Sequence, residues 1–118
     1  KKTLVLGASL NPDRYSNIVV KKLLLNNIDV KALGLKTGNI DKVLIKIDPI
    51  NFNNIHTVTL YINSVRQRCY YDYIISLKPQ RVIFNPGTEN TEFYNLLRNK
   101  SIKYLEACTL VLLSTNQY

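Results

Sequence analysis

Short apolar runs alternating with helical stripes constrain this chain more than any other feature of its sequence. Thr3-Leu-Val-Leu-Gly-Ala8 is apolar, partly β-branched and punctuated by a glycine, the pattern of a buried strand. The polar loop Ser9–Tyr15 follows. Ser16 then offers a hydroxyl cap for a helix running to Leu25, with Ile18, Val19 and Leu23 on its apolar face. Asp29–Gly34 reads as a second strand, so the opening of the chain is a strand–helix–strand unit of the usual length, roughly 30 residues.

The same grammar continues. Val43–Ile47 is a third, shorter strand after the turn-like Thr37-Gly38-Asn39, and Ile50–Ile55 is expected to be irregular. Thr57–Ile62 is a fourth strand. Between Arg66 and Leu77, the residues Cys69, Tyr70, Tyr73, Ile74 and Leu77 recur at helical spacing, which places Cys69 on a core-facing stripe. Arg81–Phe84 is a fifth strand, Glu89–Asn99 a helix with Phe93, Leu96 and Leu97 inward, Ile102–Leu105 a last strand, and Cys108–Ser114 a closing helix. Parallel strands need crossovers, and right-handed crossovers wind helices onto both faces of a sheet. The expected fold is therefore α/β: a Rossmann-like, doubly wound, mainly parallel sheet of five strands, six with a short edge strand. Residues 1–118 read as one domain.

Composition narrows the setting. A chain of 118 residues can bury roughly two-thirds of its unfolded surface without a disulfide or metal. With 46% hydrophobic residues and only 4 Gly and 4 Pro, it is neither disordered nor fibrous. No apolar run approaches the ~20 residues of a membrane helix, and Lys1-Lys2 leads into a strand, not a signal sequence. The expected compartment is the cytoplasm, and an initiator Met is expected to have been removed or to lie outside the numbering. Cys69 and Cys108 are 39 residues apart and form no zinc pattern, which suits two reduced thiols. The net charge of +8 favours an anionic partner. Because the basic residues are spread from Lys1 to Lys103 without a dense stripe, a phosphate-rich small molecule suits them better than nucleic acid.

In open α/β sheets, ligands bind beyond the carboxyl ends of the strands, where strand order reverses. The loops expected there are Gly7–Asn17, Gly34–Thr37, Tyr61–Gln67 and Asn85–Thr88. The first is not a full dinucleotide fingerprint; it has Gly7, the side chains of Ser9, Asn11, Arg14, Ser16 and Asn17, and a helix N-terminus able to receive a diphosphate. Ordinary turn chemistry would use the same residue types. After the second strand, Gly34-Leu-Lys-Thr37 carries no carboxylate to accept a ribose 2′-hydroxyl. Lys36 suits a ribose bearing an extra phosphate, as in NADP or coenzyme A, unless it is simply a solvated surface lysine.

Several segments together, Gly7-Ala-Ser-Leu-Asn-Pro12, Tyr15-Ser-Asn17, Gly34-Leu-Lys36, Thr59-Leu-Tyr61, Asn85-Pro-Gly-Thr-Glu-Asn90 and Glu106-Ala-Cys-Thr109, resemble the small stand-alone CoA-binding domain family. That family is similar to the CoA-binding domain of the succinyl-CoA synthetase α subunit, and the resemblance spans essentially the whole chain. It implies a Rossmann-like sheet holding coenzyme A or an acyl-CoA. By that resemblance Gly7, Ala8, Ser9, Asn11, Arg14 and Ser16 hold the diphosphate and Asn17 opens the helix below. Lys36 sits by the phosphorylated ribose, Tyr61 and the Asn63–Gln67 loop border the adenine or the diphosphate from the other side, and Asn85, Pro86, Gly87 and Thr88 line the pantetheine wall. The proline-rich adenine wall of related synthetase domains is absent after the fourth strand, leaving Tyr61 and Ile62 to substitute.

Cys108, at a helix start, invites a mixed disulfide with the coenzyme thiol; the ordinary alternative is a buried thiol beside Leu110–Leu113. His56, the sole histidine, belongs to the amino end of its strand, away from the crevice, and Glu89 and Glu106 are the remaining acid–base candidates. No catalytic or metal constellation is assigned. Two other readings stay open: a minimal NADP-dependent oxidoreductase domain, and an interaction module on the same scaffold. The Tyr70-Tyr71-Tyr73 cluster offers a homodimer surface, or packs its own helix on the sheet.

Overall fold

A computed structural model describes residues 1–118. Thr3–Ala8 forms β1, Tyr15–Leu25 α1 and Val30–Gly34 β2. A short hairpin follows, β3 (Gly38–Ile40) and β4 (Val43–Lys46), then β5 (Thr57–Leu60). The next helical stretch is broken into α2 (Ser64–Gln67), a 3₁₀ turn (Arg68–Tyr70) and α3 (Tyr71–Ser76). It is followed by β6 (Arg81–Phe84), α4 (Thr91–Asn99), β7 (Lys103–Glu106) and α5 (Thr109–Ser114). No helix is long and apolar enough to cross a membrane.

The sheet order is β3-β4-β2-β1-β5-β6-β7, parallel except for the β3–β4 pair. The α/β, Rossmann-like class holds, with seven strands in place of the expected five or six. Thr37-Gly38-Asn39, expected as a turn, instead leads into β3: Thr37 Oγ1 donates to the Ile45 carbonyl at 2.9 Å, and Ile40 is buried opposite Val43. Three residues were too few to show a period of two.

Side-chain alternation explains the two cores. On one face of the sheet Val5, Ala32 and Ile45 pack against Val19, Val20 and Leu23 of α1 and Leu113 of α5. On the other, Leu4, Leu6, Val58, Leu60, Val82 and Phe84 meet Ile74 of α3 and Phe93 and Leu97 of α4. Phe84 anchors an aromatic cluster, edge-on to Tyr94 at 4.6 Å between ring centroids and to Phe93 at 5.8 Å. Buried aromatics of this kind each contribute several kcal/mol, ~3–5 on truncation to Ala. The helices departing from β1 and from β5 therefore lie on opposite faces, and the reversal of strand order falls between those two central strands.

Two elements differ from expectation. Ser16 does not cap α1; it is the second helical residue, buried, and Arg14 stands at the cap position without a side-chain cap. The expected continuous helix from Arg66 to Leu77 is broken at the 3₁₀ turn. That break rotates Cys69 out of the stripe, so it is exposed and not core, its thiol lying against the Arg66 carbonyl at 3.4 Å.

Candidate functional site

At the carboxyl end of β1 the pairing with β2 slips by one residue between Leu6 and Ala8. Gly7 is the bulged residue, with φ +100°, and a Cβ there would meet Ile62 Cγ2 at 2.9 Å and the Tyr61 backbone at 3.0 Å. Gly34, opposite Ala8, is constrained by proximity: a Cβ would stand 2.3 Å from the Ala8 carbonyl oxygen. Both glycines thus let backbone approach backbone where the sheet opens.

A crevice of about 580 Å³ opens at this point, within the range typical of ligand pockets. One wall is the loop from Gly7 to Asn11 and the first turn of α1, with Arg14, Tyr15 and Ser16. A second comes from the end of β2, with Gly34, Leu35 and Lys36. Tyr61, Ile62 and Asn63, with Arg66 and Tyr70 from the broken helix, form the third, and Pro86, Gly87 and Thr88 close it. Its charged residues are Arg14, Lys36 and Arg66; no carboxylate lines it. Across the whole chain one ion pair forms, Arg68 Nε to Glu92 Oε1 at 3.4 Å, so no carboxylate of the chain pairs with the crevice cations.

Local hydrogen bonds shape the first wall. The Asn11 amide donates to Ser9 Oγ at 3.1 Å and the Asp13 amide to Asn11 Oδ1 at 3.0 Å, an Asx-type turn. With no side-chain cap and no acidic residue in the first turn of α1, the Tyr15 and Ser16 amides stay available to an anion, while the Asn17 and Ile18 amides donate to the Arg14 carbonyl.

The structure brings twelve of the expected site residues to the crevice wall and leaves four outside it. Asn17 is buried and braces the loop, its Nδ2 donating to the Ser9 carbonyl at 2.8 Å while Oδ1 has no partner. Gln67 is fully buried between two loops. Asn85 is consumed by structure: Nδ2 donates to Thr59 Oγ1 at 2.7 Å and to the Leu60 carbonyl at 2.9 Å, and Oδ1 accepts the Thr109 amide at 2.9 Å. Cys108, half-buried, immediately precedes α5 and does not line the crevice. Short polar residues in turns serve either ligand or backbone, and spacing alone does not separate the two uses.

Tyr61 contributes to the wall and also reaches inward. Burial, only partly offset by the neighbouring Thr109 and Thr59 hydroxyls, holds its phenol well above the usual range, so it stays protonated. The Tyr70-Tyr71-Tyr73 cluster divides between packing and the crevice. Tyr71 stacks on Phe93 at 4.4 Å, Tyr73 donates to the Ile50 carbonyl at 2.6 Å, and Tyr70 faces the crevice.

Arg66 belongs to the loop expected at the crevice without being named as a ligand residue, and Tyr70, named for a homodimer surface or for helix packing, lines the crevice instead. The available signal was their i, i+4 spacing behind Asn63, whose Oδ1 caps α2 by accepting the Arg66 amide at 2.9 Å.

The sequence model of a family described as CoA binding domain matches residues 1–114. A solved structure described as that of an uncharacterized protein is 41% identical, covers 100% of this chain and 98% of its own, and superposes with a TM-score of 0.97. A hypothetical protein from Pyrococcus horikoshii OT3 is 23% identical over 98% of this chain and 82% of its own, with a TM-score of 0.89. A protein from Thermus thermophilus is 15% identical over 99% and 90%, with a TM-score of 0.86, a likeness of fold. None of the curated proteins searched matches the chain.

Proposed function

The chain belongs to the CoA binding domain family, and from that premise we propose that it holds coenzyme A or an acyl-CoA in the crevice at the carboxyl ends of β1, β2 and β5. The observation that carries the reading is electrostatic: a crevice whose charged lining is three cations, Arg14, Lys36 and Arg66, suits a ligand with a diphosphate and a further phosphate on its ribose. The uncapped start of α1 supports it, because amides and the positive end of the helix favour the diphosphate.

In this reading Ser9, Ser16 and Arg14 meet the diphosphate with the first-turn amides, and Gly7 and Ala8 give it room. Lys36 meets the ribose phosphate. Tyr61, Ile62 and Asn63 form the opposite wall, and Pro86, Gly87 and Thr88 flank the pantetheine arm. Asn17 and Asn85 act behind these groups, as braces for the first and last loops.

Calorimetry with coenzyme A, its 3′-dephospho form, ADP and NADP tests the proposal. Coenzyme A is expected to bind tighter than the dephospho form by roughly 10-fold or more, the effect of a charge-assisted contact. Lys36→Ala should erase that difference while leaving the dephospho form unaffected. Equal binding of the two forms to the native chain would remove Lys36 from its role. Tighter binding of NADP than of coenzyme A would replace the reading.

A further inference from the structure

Two neighbouring walls of the crevice, the segments that follow the adjacent strands β5 and β6, are tied together by a side chain that lines neither. Gln67 is 0% exposed. Its Nε2 donates to the Ile62 carbonyl at 2.9 Å and to the Thr88 carbonyl at 2.7 Å, one acceptor from each wall. Its Oε1 accepts from Asn90 Nδ2 at 2.8 Å. Asn90 in turn caps α4, its Oδ1 accepting the Phe93 amide at 3.1 Å, and Nδ2 also reaches the Tyr71 hydroxyl at 2.8 Å. The Tyr71 hydroxyl in turn donates a hydrogen bond to Glu92 Oε1 at 3.0 Å. Every donor in the chain has an acceptor, and the two carbonyls facing Nε2 fix which way the Gln67 amide points.

The geometry points to Gln67 and Asn90 as a positioning pair that holds the neighbouring Ile62–Asn63 and Pro86–Thr88 walls together as one surface, and so governs how tightly the crevice grips its ligand without touching it. The assignment of that ligand as coenzyme A rests on the reading above; the tie between the walls does not. A purely structural glutamine would contribute to stability alone. This one gives both of its amide hydrogens to segments that line the crevice. Losing it takes that partner from the Ile62 and Thr88 carbonyls at the walls and from one N–H of Asn90 behind them, and the two carbonyls would seek water by moving apart.

Two variants test the pair. Gln67→Met keeps the volume and removes all three hydrogen bonds. Asn90→Asp is the milder change: it keeps the cap on α4 but replaces the donor to Gln67 with a second acceptor. A third, Val82→Ala, lowers stability from the interior of β6, remote from both walls. Amide exchange on the ligand-free protein should quicken about 10-fold or more at Asn63–Arg66 and Gly87–Glu89 in both clamp variants, with Ser9–Arg14 within about twofold of native. Val82→Ala should not reproduce that pattern. By calorimetry, Gln67→Met should weaken coenzyme A binding about 10-fold or more, whereas Val82→Ala should leave it within about twofold.

Exchange that changes uniformly along the chain, or not at all, would overturn the pair. So would unaltered affinity in Gln67→Met beside the predicted exchange, since the walls would then move without consequence for the ligand. A native chain that ignores coenzyme A while its variants still show local exchange would overturn the ligand assignment and leave the tie standing.

Discussion

Gly7 concentrates the requirements of the site in one position. A methyl group there meets Ile62 and the Tyr61 backbone at about 3 Å in a backbone conformation that side chains resist. Gly7→Ala should therefore cost about 1–3 kcal/mol, read as a lower melting midpoint, and should weaken the ligand further by displacing Tyr61. His56 supplies the pH dependence. Its imidazole is held below the ordinary 6.5, first by burial and then by Arg81 and Lys1, while Nδ1 lies 2.7 Å from Thr57 Oγ1. A base whose folded-state pKa is depressed takes up its proton more readily when unfolded. Its contribution is thus complete above about pH 6.5 and is lost as pH falls from there through the folded value. Melting midpoints measured between pH 7.5 and about 5 should fall more steeply for the native chain than for His56→Gln; parallel profiles would exclude His56 as the source.

Secondary elements show where the sequence was readable. The apolar runs of β1, β2, β5 and β6 declared themselves because both their faces are buried, and hydrophobicity is then the whole signal. The β3–β4 hairpin and the broken α2–α3 segment did not. The first is too short for a period, and the second keeps a helical spacing of apolar residues while a 3₁₀ turn shifts its phase. The loops converging on the crevice followed from strand order, but Asn17, Gln67 and Asn85 did not reveal that they serve the backbone behind it. A test belongs to this scale. With Cys69 exposed on the 3₁₀ turn and Cys108 half-buried, a thiol reagent should modify native protein in a fast phase that Cys69→Ser removes. A fast phase that survives Cys69→Ser would return Cys108 to consideration as a reactive thiol.

For the molecule as a whole, the net charge of +8 and the single ion pair make ligand capture an electrostatic matter. Affinity for coenzyme A should fall as salt rises from about 0.05 to 0.5 M, because screening lengths shrink from about 14 to 4 Å. An affinity indifferent to salt would show that apolar contacts dominate. Ligand at about 100 times its dissociation constant should add roughly 2.7 kcal/mol to stability, a shift visible in a melt.

The strand order has one more consequence. Residues up to Lys36 build two sides of the crevice and residues from Tyr61 onward build the others, and each group rests largely on its own half of the sheet. A guest lodged between them works as a rivet through two plates, joining early and late stretches of the polypeptide that otherwise meet chiefly along the seam of β1 and β5.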